Sequence, residues 1–237
     1  MKKVLITGIA QGLGKFCVDK LESEGYIVGG IDRFDFEEID QLTRSKLSRY
    51  WKIDLSDIGD LSRSSKQVFL EFQPDILINN AAIRYFANFE DMDIKDITNI
   101  MNVNYVAPVL LTKEWLNCKP PDLELSVVFI SSNSAYYGYL TGALYCSTKS
   151  ALRIFAQALM YENKKGNLNV ITLCPESFHR TGVTKSSRMA FSIEDIYKHL
   201  FNAINAHKSF EISIIRWKTK LHNSYHGLKQ IARWLKW

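Results

Sequence analysis

The stretch Thr7-Gly8-Ile9-Ala10-Gln11-Gly12-Leu13-Gly14 decides the fold of this chain. It follows an apolar run, residues 3–7, and precedes an amphipathic run, residues 15–24, so it predicts a strand, a glycine-rich turn and a helix. Glycine permits a tight turn and lets backbone N–H groups at a helix N-terminus approach a phosphate closely. An ordinary turn is the alternative, and the position directly after the first strand disfavours it. The stretch therefore predicts a site for a dinucleotide pyrophosphate.

The second predicted strand ends in Gly29-Gly30-Ile31-Asp32, about twenty residues after the glycines. A carboxylate at this position accepts hydrogen bonds from both hydroxyls of an adenosine ribose and repels a 2′-phosphate, which favours NAD(H) over NADP(H). Arg33 follows directly and is able to pair with a 2′-phosphate, so NADP(H) stays open. A solvated turn is the alternative interpretation of Asp32-Arg33.

Short apolar segments alternate with longer helical patterns along the chain, which is typical of βαβ units. Several segments are apolar at successive positions, as in strands buried on both faces. The sequence predicts an α/β fold, a single Rossmann-like three-layer domain over residues 1–215 with a seven-stranded, mostly parallel, doubly wound sheet. The predicted strands are residues 3–7, 26–31, 50–53, 76–79, 126–131, 169–174 and 211–215.

Cysteine content and charge argue against several classes of protein. The four cysteines are scattered without a C-x-x-C pair, so we expect reduced thiols, no metal site and a cytoplasmic location. The first apolar run is too short for a signal peptide or a membrane span.

Residues 216–237 hold six of the 30 Lys and Arg residues and no Asp or Glu, which leaves the preceding body nearly neutral. The body carries no nucleic-acid-binding motif or basic stripe, so we expect no nucleic-acid partner.

The segment Tyr145-Cys146-Ser147-Thr148-Lys149 places a phenol and an ammonium one turn apart on the same face of a helix. A phenol has an ordinary pKa near ~10, so it becomes a useful base at neutral pH only when a cation stabilises the phenolate. Lys149 supplies that charge. Decoration of an ordinary helix is the alternative for this pattern on its own.

From about residue 3 to residue 181 the chain resembles the short-chain dehydrogenase/reductase family. Residues 7–14 resemble its TGxxxGxG block, Asp54-Leu55 its adenine-contacting pair, Asn79-Asn80-Ala81-Ala82 its NNAG motif, and residues 145–149 its Y-x-x-x-K motif. The chain differs at Ala82, where the family has glycine. It also carries Glu176 in place of the glycine that follows the proline after the sixth strand.

The resemblance implies a catalytic set of Asn104, Ser132, Tyr145 and Lys149. Tyr145 would exchange a proton with the substrate oxygen, Lys149 would support Tyr145 and bind the nicotinamide ribose, and Ser132 would hydrogen-bond the same oxygen. Asn104 would kink its helix and hold a water. Ser131 and Ser134 compete with Ser132 for its role, as Asn102 does with Asn104. The implied cofactor-binding residues are Gly8, Gly12, Leu13, Gly14, Asp32, Asp54, Leu55, Asn80, Ala81, Ala82, Tyr145, Lys149, Pro175 and Thr181.

Side chains expected to face the substrate follow the predicted strands. Their arginines and histidine suit a polar or anionic small molecule, and solvated loop charges are the alternative. Residues 176–192 form the least regular stretch and are predicted to be a mobile lid. The substrate candidates are Arg84, Tyr85, Tyr137, Tyr139, His179 and Arg180.

Residues 216–237 follow the seventh predicted strand and are not covered by the resemblance. Apolar residues at helical spacing, from Leu221 to Leu235, lie opposite basic residues, which predicts an extra basic amphipathic C-terminal helix. Packing on the body or across a dimer is favoured over contact with an anionic membrane surface.

The sequence predicts an NAD(H)-dependent oxidoreductase that interconverts a secondary alcohol and a carbonyl on a small polar substrate. The resemblance also implies a homodimer formed through the helices that carry Asn104 and Tyr145. The alternative function is a non-catalytic dinucleotide-binding regulator or scaffold.

Overall fold

The computed structural model describes residues 1–120, 123–163, 166–176 and 191–214. The strands are β1 Lys3–Thr7, β2 Ile27–Asp32, β3 Arg49–Lys52, β4 Ile76–Asn79, β5 Leu125–Ile130, β6 Leu168–Pro175 and β7 Phe210–Ile214. The helices are α1 Gly12–Ser23, α2 Gln41–Lys46, α3 Ile58–Phe72, α4 Ile94–Met101, α5 Ala107–Asn117, α6 Ala143–Glu162 and α7 Ile193–Asn205. A π-helical turn, Asn102–Val106, joins α4 to α5.

These strands form one sheet in the order β3-β2-β1-β4-β5-β6-β7, and every neighbouring pair is parallel. The predicted doubly wound fold is confirmed. The chain winds outward from β1 to β3 and then crosses to β4 on the other side of β1. A crevice therefore opens at the carboxyl ends of β1 and β4, where ligands bind in folds of this kind.

Two apolar layers cover the sheet. On one face α1 and α7 pack on alternate residues of β1 such as Val4 and Ile6. On the other face α3, α5 and α6 pack on Leu5 of β1 and its neighbours, with Trp115 fully buried. Strands β4, β5 and β6 are buried at every position, and the consecutive apolar residues of β4 and β5 predict this for those two strands.

The predicted strand bounds agree closely with the structure. β1 and β4 match, and each of the other five strands differs by one residue at each end. Helix α1 begins at Gly12, three residues before the predicted start at residue 15. The first turn of the helix is therefore formed by the last residues of the glycine block. Residues 177–190 of the predicted lid and residues 215–237, with the predicted C-terminal helix, lie outside the described residues. None of the helices within the described ranges combines the length and apolarity needed to cross a bilayer.

Candidate active site

A cavity of about 770 Å³ lies along the carboxyl ends of the central strands. Its wall begins at Gly8 and Gly12 after β1, passes Asp32 at the end of β2, and reaches Tyr145 and Lys149 on α6. Residues implied by separate motifs, far apart in the chain, therefore border a single space.

The glycine loop is shaped by close backbone contacts. Gly8 has a φ of +73°, and a Cβ there would lie 2.8 Å from Cα of Ala81. A Cβ on Gly14 would lie 2.0 Å from the carbonyl oxygen of Gly8, so Gly14 packs α1 against the loop and is not part of the cavity wall. Gly12, with a φ of +60°, has open space where a Cβ would stand. The loop thus leaves room for a pyrophosphate at the N-terminus of α1, and its residues fit a dinucleotide.

Asn80 and Thr7 hold the glycine loop to the end of β4. The side-chain amide of Asn80 donates to the carbonyl oxygens of Thr7 at 2.9 Å and of Gly8 at 3.0 Å. The buried hydroxyl of Thr7 accepts from the backbone N–H groups of Asn80 and Ala81, each at 3.0 Å. This role of Thr7 was not predicted from the sequence, although the residue directly precedes the first glycine. Asn80, Ala81 and Ala82 all line the cavity, as expected of cofactor-binding residues.

Asp32 ends β2 with its carboxylate fixed by backbone donors. One oxygen accepts from the N–H of Ala10 at 2.8 Å and the other from the N–H of Arg33 at 2.8 Å. Both Asp32 and Arg33 line the cavity, and the Arg33 guanidinium lies 5.1 Å from the ring centroid of Phe34. The structure therefore places the ribose-binding candidate and its basic competitor together at one end of the cavity.

The predicted adenine-contacting pair is divided. Leu55 is buried in the cavity wall, whereas Asp54 is exposed and is not part of the wall. The Asp54 carboxylate accepts from the backbone N–H of Ser56 at 2.9 Å and from its hydroxyl at 2.8 Å. In this structure Asp54 stabilises the turn that presents Leu55 and Ser56 to the cavity.

Tyr145 and Lys149 lie in the first two turns of α6, and both line the cavity. The Lys149 ammonium is buried and donates to the carbonyl oxygen of Ile130 at 2.8 Å, with its nitrogen 5.8 Å from the ring centroid of Tyr145. Burial lowers the pKa of Lys149 to about 8, because the charged form loses its hydration. A positive charge is thus held next to the phenol at neutral pH.

Three serines follow β5, and their contacts differ. The Ser131 hydroxyl donates to the carbonyl oxygen of Lys149 at 2.9 Å and so anchors α6 to the strand end. The Ser132 hydroxyl lies 3.1 Å from that of Ser134 and accepts from the Ser134 backbone N–H at 3.1 Å. All three line the cavity. Since Ser131 bonds to the helix backbone, Ser132 and Ser134 are the better placed to reach a ligand.

Asn104 is fully buried in the π-helical turn and is not part of the cavity wall. Its carbonyl oxygen accepts from the N–H of Ile83 at 2.8 Å, and its amide donates to the Ile83 carbonyl at 2.9 Å and to the Thr148 hydroxyl at 3.2 Å. Asn104 therefore links the loop after β4 to α6. The competing Asn102 instead donates to the Ser56 carbonyl at 2.8 Å.

The substrate candidates fall into three groups. Arg84 and Tyr85 line the cavity beside Tyr145. Tyr137 and Tyr139 are not part of the wall formed by the described residues. The Tyr139 ring packs instead against Arg84, 5.1 Å from its guanidinium, and the Tyr137 ring lies 6.5 Å from that of Tyr139. Pro175 lines the cavity, while the candidates that lie outside the described residues are His179, Arg180 and Thr181.

Several wall residues were not anticipated from the sequence. Gln11 stands inside the glycine block, and Phe86 follows the Asn79–Ala82 motif, so both were within reach of a motif search. Asn99 and Val103 line the cavity from the end of α4 and the π-helical turn. Their spacing of four residues places them on the same face of a helix, and this is the sequence signal from which they could have been predicted.

Comparison with known proteins agrees with this site. A family model described as short chain dehydrogenase matches residues 2–190. Benzil reductase ((S)-benzoin forming) from Bacillus cereus is 26% identical over 186 residues, which cover 74% of this chain and 75% of that protein. Dehydrogenase/reductase SDR family member 7B from Mus musculus is 27% identical over 185 residues, 74% of this chain, and the chain spans only 57% of that relative's length.

Solved structures share the fold. A short-chain dehydrogenase from Sphingobium yanoikuyae in complex with NADPH superposes with a TM-score of 0.81 at 16% identity, over 98% of this chain and 95% of that one. A 4-hydroxyisoleucine dehydrogenase complexed with NADH superposes with a TM-score of 0.79 at 22% identity, over 90% of this chain and 97% of that one. The chain thus belongs to the short-chain dehydrogenase/reductase family of NAD(P)-dependent oxidoreductases.

Proposed function

We propose that this chain interconverts a secondary alcohol and a carbonyl on a small polar substrate and uses NAD(H) in preference to NADP(H). The observation that carries the proposal is the shared cavity. The glycine loop and Asp32 border one end, and Ser132, Tyr145 and Lys149 border the other. A dinucleotide held along this length would present its nicotinamide to the phenol.

Tyr145 is the proposed general acid and base. In the oxidative direction its oxygen accepts the hydroxyl proton of the alcohol, and in the reductive direction it returns a proton to the carbonyl oxygen. The bound cofactor supplies or accepts the hydride. Lys149 favours the phenolate because its buried ammonium keeps a positive charge beside the ring, and Ser132 donates a hydrogen bond to the substrate oxygen.

Asn104 is proposed as a positioning residue. Its bonds to Ile83 and Thr148 fix the loop after β4 relative to the helix that carries Tyr145 and Lys149. The π-helical turn that contains Asn104 supports this role, because it interrupts the regular α-helix between α4 and α5. This position suits a residue that sets the spacing between the nicotinamide end of the cavity and α6.

The preference for NAD(H) rests on Asp32. Its two oxygens are held by backbone donors, and each keeps a lone pair for a ribose hydroxyl. A 2′-phosphate in the same place would meet this fixed negative charge. Among the described residues no carboxylate forms an ion pair with the Arg33 guanidinium, which lies 5.1 Å from the ring centroid of Phe34.

We also propose a cytoplasmic homodimer. All four cysteines are free thiols, consistent with a reducing compartment. Helices α4 and α6 expose large apolar side chains, including Ile94, Ile154 and Tyr161, which suit a contact between copies. The molecular mass in solution, measured by light scattering after gel filtration, tests the dimer.

Oxidation of NADH and NADPH is the first test of the enzyme proposal, with a panel of oxo acids, keto-sugars, sugar phosphates, cyclic diketones and quinones. We expect turnover with NADH, and a loss of about 1,000-fold or more in kcat in Tyr145→Phe because the acid is removed while the ring remains. NADH binding without any turnover across the panel would favour a regulator or scaffold instead.

A further inference from the structure

Arg84 lies at the reacting end of the cavity among aromatic rings. Its guanidinium carbon is 4.0 Å from the ring centroid of Phe86, 5.1 Å from that of Tyr139 and 5.2 Å from that of Tyr145. The attraction between a guanidinium and the face of an aromatic ring uses none of the five N–H donors, so these stay available to a ligand. Arg84 also lines the cavity and is solvent-exposed. The rings therefore hold a cation in place beside the candidate acid.

No carboxylate among the described residues lies within ion-pair distance of Arg84. Glu176 lines the same cavity as Arg84. Outside the described ranges, residues 177–190 and 215–237 contain no Asp or Glu at all. Asp122 is the remaining residue with an acidic side chain outside the described ranges. Within the part of the chain that the structure describes, Arg84 therefore forms no ion pair with a carboxylate.

The other cations in the described wall have different surroundings. Lys149 is buried and donates to the Ile130 carbonyl, and Arg33 lies beside Asp32 at the adenosine end. Of the three, only Arg84 combines exposure to the cavity with contact to the ring of Tyr145. An anion bound to Arg84 would thus sit close to the reacting carbon.

We propose that Arg84 determines specificity by binding the carboxylate of a short hydroxy acid or oxo acid whose carboxylate is one or two carbons from the reacting carbon. The inference rests on the function proposed above. During oxidation the carbinol carbon gives its hydride to NAD⁺ and the hydroxyl gives its proton to Tyr145, which yields the oxo acid, NADH and a proton released to solvent. The guanidinium fork binds the carboxylate through two parallel hydrogen bonds, so it selects charge and shape together.

A phosphate of the cofactor is the competing anion for Arg84. The two sources differ in what they predict. Loss of a substrate contact raises KM for acids alone, whereas loss of a cofactor contact weakens NADH binding and affects charged and neutral substrates equally.

The test compares reduction of 3-oxobutanoate and of its neutral methyl ester, and likewise of 2-oxobutanoate and its ester, in the full chain with NADH. The variants are Arg84→Gln, Arg84→Lys and the control Arg63→Gln, a surface arginine on α3 with 89% side-chain exposure. We expect Arg84→Gln to lower kcat/KM for an acid about 30-fold, mainly through KM, and to leave the ester within about 3-fold. Arg84→Lys should fall between, because it keeps the charge and loses the fork.

Three results overturn the inference while the proposed function stands. They are a wild-type preference for the esters or for other neutral ketones, an equal loss for acid and ester in Arg84→Gln, and a raised dissociation constant for NADH in that variant. If the wild-type chain neither binds NADH nor turns over any member of the wider panel, the proposed function itself is wrong and the inference falls with it. Circular dichroism of each variant confirms that the fold is intact before these comparisons are made.

Discussion

The two ends of the cavity are built in different ways. At the glycine-loop end the shape comes from backbone atoms, since Gly8, Gly14 and Ala81 leave no space for added side-chain atoms. At the α6 end the shape comes from side chains, and the ammonium of Lys149 is buried against the carbonyl of Ile130. The glycine-loop end is formed by a contiguous motif and its close neighbours. The α6 end is formed by residues from separate stretches of the chain, which include Arg84, Ser132 and Tyr145.

This difference predicts different sensitivities to mutation. A site shaped by backbone atoms does not tolerate added side-chain volume, because a backbone oxygen cannot move aside as a side chain can. A side-chain-built site tolerates changes of shape but holds unfavourable electrostatics, since a buried charge destabilises the fold that contains it. Variants at each end should separate these two costs.

Gly14→Ala should have the largest effect, because its Cβ would lie 2.0 Å from the Gly8 carbonyl oxygen. We expect a loss of about 3 kcal/mol or more in the free energy of unfolding and a loss of NADH binding of about 100-fold. Urea unfolding and NADH fluorescence titration measure both. Gly138→Ala is the matched control, since it has open space for a Cβ and should change neither. Equal behaviour of the two variants would contradict the backbone-built description.

Lys149→Met should lower activity and raise stability at pH 7. The folded pKa of about 8 lies below the ordinary value of 10.5, so the unfolded chain binds the proton more tightly, and the cost of burying the charge is greatest below about pH 8. That cost shrinks as pH rises from about 8 toward 10.5. We expect a gain of about 1–2 kcal/mol at pH 7, reduced by the unpaired Ile130 carbonyl, and a smaller gain at pH 10. Urea unfolding across this range measures the difference, and a gain that grows with pH would refute it.

Asp32→Asn should have the smallest effect. Asp32 combines both kinds of construction, because its functional group is a side chain and backbone donors hold that side chain in place. Removing the charge should raise kcat/KM for NADPH relative to NADH about 10-fold, which corresponds to about 1.4 kcal/mol. Initial rates with each cofactor provide the ratio. Glu37→Gln, at an exposed carboxylate near the same loop, should leave the ratio unchanged. An unchanged ratio in Asp32→Asn would remove the basis for the NAD(H) preference.

The same contrast explains what could be predicted from the sequence. Strands β4 and β5 were predictable because uninterrupted apolar runs report burial on both faces. The glycine block and the Tyr145–Lys149 spacing are local patterns, and their placement along one cavity followed from the fold. The position of Tyr139 was not predictable, since it depends on how the loop after β5 packs on Arg84. The turn-stabilising contacts of Asp54 likewise follow from loop geometry and not from its motif.

The order of the strands also has a consequence for how the chain is made. β1 precedes the other six strands of the described sheet in the chain, yet it lies between β2 and β4, with Leu5 opposite Gly29 on one side and Leu77 on the other. β2 can pair with β1 early, whereas the opposite edge of β1 waits until residues 76–79 have left the ribosome. An apolar strand with one open edge is a template for association with other chains. The nascent polypeptide therefore exposes this edge of β1 until β4 emerges, and a chaperone bound to residues 3–75 would protect the edge during that interval.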